Sequence, residues 1–229
     1  MPHSGKSTDR QILRVACPTN SRDFLATTAK TTIESATYLC PMLDAKLTSF
    51  ISEHVILDES HASQNIVLRV GDHSMVNPSV RVCTQSAANS SGNSDEPAVL
   101  EIGDYTIVSD GCNFELTPNS RVRIGNYTQI DPGVRVEPGV TIGDFCVLGA
   151  RCVIARGTRI GNNCKITAGA KIGVSVVIPP GSVAVGDAGE IRQAMEDMSD
   201  EQRTREMKMH VDFLMRIMPA YNKPRQDRK

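Results

Sequence analysis

Between residues 124 and 178 an aliphatic side chain returns at every sixth position: Ile124, Ile130, Val136, Ile142, Leu148, Ile154, Ile160, Ile166, Ile172 and Ile178. Four residues after each comes a small or β-branched one, in the series Thr128, Val134, Val140, Cys146, Cys152, Thr158, Cys164, Ala170, Val176, Ser182. Gly follows the aliphatic at 125, 143, 149, 161 and 173. With 40% of the chain apolar, an unbroken run of this kind arises by chance about once in 10⁴, and fixed spacing is the mark of a repeat architecture. A helix would repeat at 3.6 and drift out of phase, and a simple strand would alternate at two. A period of six describes one face of a triangular coil, with an inward aliphatic, an inward small residue and a bend between them. We therefore expect a mainly β fold, a left-handed parallel β-helix shaped as a triangular prism. Residues three hexads apart then stack at about the 4.8 Å strand spacing. Gly and the pairs Pro132-Gly133, Pro138-Gly139 and Pro180-Gly181 suit the bends, where the backbone needs positive φ.

The hexads are readable from Val70 through Val76 and Val82, pause at the polar stretch TQSAANSSGNSDEP (84–97), and resume at Ile102, Val108 and Phe114. They slip near 116–123 before the clean run. This divides the chain into an irregular or flexible extension (1–50), the coil (51–188) with a protruding loop at 84–97, a helical segment (190–221) and a basic tail (222–229). Within the third part, Ser199-Asp200-Glu201-Gln202 reads as a capping box, which satisfies free N–H groups at a helix start. Met207, Val211, Leu214 and Met218 then follow helical spacing, with Pro219 as the expected stop. Such a helix is about 28 Å long at 1.5 Å per residue, close to the prism length, so it should lie along one face. A shorter helical stretch is expected at 190–198.

Composition adds little that redirects this reading. Net charge is −1, pI about 6.5, Trp is absent and aromatics are 4%. A narrow coil has no room for large rings, and nothing in the charge points to nucleic acid. No apolar run is long enough to cross a bilayer, and no charged n-region precedes an apolar stretch, so neither a membrane span nor a secretory signal is expected. Arg10, Arg14 and Arg22 lie among Ser and Thr, but Asp9 and Asp23 argue against a transit peptide. Ser4–Thr8 contains GKST, yet the earlier Gly of a phosphate loop has no place before it. The seven cysteines form no CxxC pair; Cys112, Cys146, Cys152 and Cys164 sit on or near the small inward slot and read as packing. Cys146 and Cys164 fall on adjacent coils, where contact is allowed but a reducing compartment keeps them as thiols.

Chemistry is harder to place. Hexapeptide acyltransferases generally use a His base and a coenzyme A groove between subunits, and γ-class carbonic anhydrases hold zinc with three His. Here the histidines are His3, His54, His61, His73 and His210, so the regular coil lacks them. No catalytic, cofactor-binding or metal-binding residues, and no cofactor, are therefore expected.

The C-terminal run from Val211 to Tyr221 (VDFLMRIMPAY) and Asn113-Phe114-Glu115 resemble the dynactin subunit 6 family, over about residues 66–222. That resemblance implies a non-catalytic subunit of the dynactin pointed-end complex, in the cytoplasm and on the cytoskeleton. The implied partners are a second hexapeptide-repeat subunit, the pointed-end actin-related protein and a larger cysteine-rich subunit, with dynein and membrane cargo engaged indirectly. Under it, Phe213, Leu214, Ile217, Met218 and Tyr221 would dock the helix on the coil or bind a partner. The alternative is an enzyme of the acyltransferase or γ-carbonic anhydrase type.

Overall fold

The computed structural model describes residues 42–45, 49–52, 55–58, 66–84, 97–187, 189–194 and 198–221. The strands wind into three parallel sheets, here faces A, B and C. Face A stacks Met42–Ala45, Ile66–Val70, Ala98–Ile102, Arg121–Ile124, Thr141–Ile142, Arg159–Ile160 and Val177–Ile178. Face B stacks Phe50–Ile51, Met75–Val76, Ile107–Val108, Gln129–Ile130, Val147–Leu148, Lys165–Ile166 and Ser182–Val185. Face C stacks Ile56–Asp58, Arg81–Thr84, Asn113–Leu116, Arg135–Val136, Val153–Ile154 and Lys171–Ile172. The chain is thus a parallel β-solenoid built on hexapeptide repeats, followed by one helix, α1 (Asp200–Tyr221).

The inward aliphatics form three buried ladders. Ile102, Ile124, Ile142, Ile160 and Ile178 are paired in register on face A. Val108, Ile130, Leu148 and Ile166 do the same on face B, and Phe114, Val136, Ile154 and Ile172 on face C. All belong to one continuous core. The interior of these coils is as narrow as the shortage of aromatics implies; Phe114 is the one ring in that continuous core and is fully buried.

The corner between faces A and B repeats a motif of Gly, Asp or Asn, a larger residue, and a small one. The Asx side chains form a ladder of their own. Asp104 Oδ1 accepts from the Asp72 N–H at 2.7 Å, Asn126 Oδ1 from Asp104, Asp144 Oδ1 from Asn126, and Asn162 Oδ1 from Asp144. The next residue turns through positive φ, and its ring stacks on the coil beside it: His73, Tyr105, Tyr127 and Phe145 lie 4.9–5.3 Å apart. The small inward residues tie coil to coil. Thr128 Oγ1 donates to the Gly143 carbonyl at 3.0 Å and Cys146 Sγ to the Gly161 carbonyl at 3.0 Å.

The glycines divide into two kinds. Gly133, Gly139 and Gly181 have positive φ, as the bends require. Gly103, Gly125 and Gly143 have ordinary φ and are needed for space: a Cβ on Gly125 would sit 2.5 Å from the carbonyl carbon of Gly143.

Several boundaries differ from the sequence expectation. Face A begins at Met42–Ala45, paired with Val67–Val70, inside the segment expected to be an irregular extension. The first coil carries the chain from Leu43 to its partner Leu68, further than a regular turn, so no hexad shows there. Residues 190–193 form a strand, not a helix, antiparallel to Ser182–Val185, and they close face B. Helix α1 runs through Pro219 to Tyr221. A proline in a last turn removes one N–H without ending the carbonyl pattern before it. Of the loop expected at 84–97, Thr84 ends a strand and most of the rest lies outside the described residues. The slip near 116–123 is one lengthened coil, in which Ile102 pairs with Ile124; its extra length goes into the longer strands Asn113–Leu116 and Arg121–Ile124.

Candidate functional site

Helix α1 begins at the C-terminal end of the coil and runs back over the corner between faces A and B. The capping box forms as expected: the Gln202 N–H donates to Ser199 Oγ at 3.3 Å and the Ser199 N–H to Gln202 Oε1 at 3.1 Å. Asn163 Nδ2 reaches Asp200 at 3.5 Å. Further along the helix, Lys208 Nζ sits 5.2 Å from the centre of the Tyr105 ring and 6.0 Å from that of Tyr127. Val211 is fully buried.

Of the residues expected to dock the helix or bind a partner, Leu214 and Ile217 are half-buried and Phe213 is 60% exposed. Met218 and Tyr221 belong to the last turns, and their side chains lie outside the described set. The three that are described are split between two sides of one helix and form no single surface.

Where the start of the helix, the strand Glu190–Gln193 and face B meet, they leave a cleft of about 520 Å³. Its walls are apolar, with Val147, Val183 and Val185, and three cations project around them, Lys165, Arg192 and Arg203. Each cation comes from a different element. Lys165 is an outward position on face B, where alternation along the strand puts Ile166 in the core. Arg192 lies on the closing strand, which is held to the coil by Ala194 N donating to the Gly181 carbonyl at 2.8 Å. Its guanidinium is forked on Glu190 at 3.1 Å. Arg203 lies in the first turn of α1, with Nε donating to the Met198 carbonyl at 3.3 Å. The volume falls within the range of small-molecule sites, which are mostly apolar with a few placed polar groups.

At the floor of the cleft lie two neighbouring thiols, Cys146 and Cys164, both free and both buried. Interaction with Cys146 draws the Cys164 thiol below its ordinary value, and the same interaction with burial pushes Cys146 up. Both sulfurs bond inward, Cys164 Sγ to the Pro179 carbonyl at 3.2 Å. Both side chains are buried in the coil, as the packing reading of the small slot expects, and Cys164 also borders the cleft.

The histidines do not converge. His73 is the end of the ring stack, His210 is exposed on α1, and His3, His54 and His61 lie outside the described residues. Among the described residues no cluster of His, Cys, Asp or Glu could hold a metal ion, and no helix is long and apolar enough to cross a membrane. The cleft cations were not legible as a group in the sequence. Only the fold brings 165, 192 and 203 together; the one local hint is a Lys directly before Ile166 at the last regular coil.

Comparison with known proteins agrees with the coil. The model of the bacterial transferase hexapeptide (six repeats) matches residues 121–156 and 142–174. No curated protein matches the sequence. Among solved structures, the chain is similar to an acetyltransferase from Bacillus cereus described as putative, at 18% identity and a TM-score of 0.54, covering 79% of this chain and 91% of that one. It is also similar to a hexapeptide transferase family protein from Anaplasma phagocytophilum, at 11% identity and a TM-score of 0.50, covering 79% and 98%. A third is a mutant of AntD, an N-acyltransferase from Bacillus cereus in complex with dTDP and coenzyme A, at 11% identity and a TM-score of 0.52, covering 76% and 90%.

The fold is that of the left-handed β-helix proteins. Its repeats match the hexapeptide model over residues 121–174. These likenesses correct two expectations. The solved structures that share the coil are described as acetyltransferase, transferase-family or N-acyltransferase proteins and none as a cytoskeletal subunit, which goes against the reading as a non-catalytic subunit of dynactin and the expectation that the chain is not an enzyme. The motif behind that reading, Asp212 to Tyr221, is short. Its hydrophobic spacing is what any helix docked on a coil requires.

Proposed function

We propose that this protein is a hexapeptide-repeat acyltransferase that draws its acyl group from acyl-coenzyme A, with the cleft at the end of face B as the donor site. The observation that carries the reading is the composition of that cleft: three cations around an apolar wall, on a coil of the transferase type. Coenzyme A has phosphates at one end and a long, weakly polar arm ending in the thiol that carries the acyl group as a thioester. Guanidinium and ammonium groups bind phosphate through charge-assisted hydrogen bonds. Lys165, Arg203 and Arg192 would hold the phosphates, and Val147, Val183 and Val185 would line the arm. Bound acyl-coenzyme A would supply an activated thioester: its C–S bond breaks as the acyl carbon bonds to an amine or hydroxyl, the acceptor loses a proton, and coenzyme A leaves as the thiol. The protein's part is to fix the donor and exclude water from it. The residues lining the cleft include neither an imidazole nor a carboxylate, so the group that takes the acceptor's proton belongs elsewhere in the chain or to the acceptor.

The test is thiol release from acetyl-coenzyme A against a panel of amines and alcohols, comparing the wild type with Lys165→Glu and Arg203→Glu. The reading expects release above background and a rise in KM of about tenfold or more in both variants, because charge reversal removes a phosphate contact and adds repulsion. Release that both variants leave unchanged would remove the donor from this cleft.

A further inference from the structure

One face of helix α1 has no use in anything described so far. The inner side carries Met207, Val211 and Leu214, half-buried or buried. On the opposite side Gln202, Arg205, Glu206, Met209, Asp212, Phe213 and Arg216 are all exposed. Met209 is 66% and Phe213 60% exposed, a full turn apart, so two large apolar side chains form one outward ridge. Single exposed apolar residues need no explanation; two adjacent ones on a rigid helix, framed by charge, form a patch.

The charges around that ridge follow a rule. At about 100° per residue, Glu201, Arg205, Asp212 and Arg216 fall within an arc of about 60° on one flank of Met209. Glu206 and His210 fall on the other flank. Among the described residues none of the first four makes an ion pair within its own chain. If a second copy of the helix lies antiparallel across the ridge, the two-fold axis places like flanks together. With the axis level with the point between Lys208 and Met209, Arg205 faces Asp212 of the second copy, and Arg216 faces its Glu201. Each contact occurs twice by symmetry. On the other flank Glu206 comes level with His210, within one residue. Met209 meets its own copy at the centre, and Phe213 packs beside the stems of Gln202 and Glu206 opposite. Every charge on the one flank thus meets its opposite at one register, with Met209 at the axis.

We propose that the outer face of helix α1 is a self-association surface, through which two copies of this chain pair by antiparallel helix contact centred on Met209. The coil plays no part in this contact, so the pairing is independent of the function assigned to the cleft. The ridge is narrow against the roughly 800 Å² per partner of a standard interface, so the association is in the micromolar range rather than tighter.

The experiment is sedimentation velocity on the full chain over about 1–200 μM, with Phe213→Asp, Arg205→Asp, Asp212→Arg and the double variant Arg205→Asp/Asp212→Arg. Exposed positions of this kind accept substitution without unfolding the helix. A concentration-dependent dimer is expected in the wild type. Phe213→Asp and each single charge reversal should weaken it by about tenfold or more, and the double variant should recover to within about threefold, because reversal of both partners restores each reciprocal pair. A chain that stays monomeric throughout, an association that Phe213→Asp leaves intact, or a double variant no better than the singles would each overturn the proposal.

Discussion

Replacing Gly125 by Ala is a sharp test of how the coils are held together. Gly125 follows Ile124 at the corner between faces A and B, with ordinary φ, so an alanine there faces no conformational penalty of its own. What it faces is the next coil. Its Cβ would lie 2.5 Å from the carbonyl carbon and oxygen of Gly143 and 2.5 Å from Asp144 Oδ1. Carbon contacts are relaxed near 3.5–4.0 Å, so the coils must part locally by about 1 Å. Overpacking of this kind costs about 1–3 kcal/mol. Parting the coils also stretches the bond that Asn126 N donates to Asp144 Oδ1, now 2.7 Å, and hydrogen bonds to a charged acceptor contribute about 1.5–3 kcal/mol. Together these come to about 2.5–6 kcal/mol. Gly169→Ala is the control: it has φ +72° and nothing within 4 Å of a Cβ, so only the left-handed backbone counts against it, at about 1–2 kcal/mol. Both variants would be unfolded in urea alongside the wild type, with midpoints compared at equal m-value. Gly125→Ala should lose clearly more than Gly169→Ala. Equal losses would refute the view that these corner glycines exist for close approach.

Other consequences concern the interior and the docked helix. Burial pushes the Cys112 and Cys152 thiols up to about 11 and about 12 from an ordinary 9. A raised thiol favours the folded state in full below pH 9, and that contribution is lost as pH climbs from 9 through 11–12, at about 1.4 kcal/mol per pH unit for each thiol. Alkaline unfolding curves should therefore flatten when both are replaced by Val, and an unchanged slope would count against buried neutral thiols. Lys208→Ala removes the cation from the Tyr105 and Tyr127 rings and should weaken helix docking by about 0.5–1 kcal/mol, read as faster amide exchange in α1 while the coil is unaffected. Arg135→Met leaves the buried Glu115 carboxylate without its 2.6 Å partner. Because Arg135 is itself half exposed, the expected loss is about 1–2 kcal/mol in thermal or urea unfolding, less than for a fully buried pair.

How much of this could be read beforehand follows from where regularity holds. From Ile124 to Ile178 every coil has the same length, so the core aliphatics announce themselves by position alone. The coils that carry Leu43 to Leu68 and Leu68 to Leu100 are longer and unequal, so the buried Leu68 and Leu100 continue the ladder without a period to reveal it. The bend at Gly189 looks like a helix approach in the sequence. Residues 190–193 become a strand because face B ends in unpaired backbone groups at Ser182–Val185, a tertiary demand that local propensity does not contain. The stripe Met207, Val211, Leu214 was legible because helical period is local. The cleft was not: Lys165, Arg192 and Arg203 each look like a solvated charge until the closing strand and the helix start are brought over face B. The resemblance drawn from the last helix failed for a related reason, since a docked amphipathic helix is a common solution to covering a flat face.

The most direct measurement is a calorimetric titration of coenzyme A into the purified full chain, repeated with Lys165→Glu and Arg203→Glu. The donor-site reading predicts one saturable site per chain in the wild type, with affinity reduced about tenfold or more by either charge reversal. No binding in the wild type, or binding that both reversals leave untouched, would contradict it.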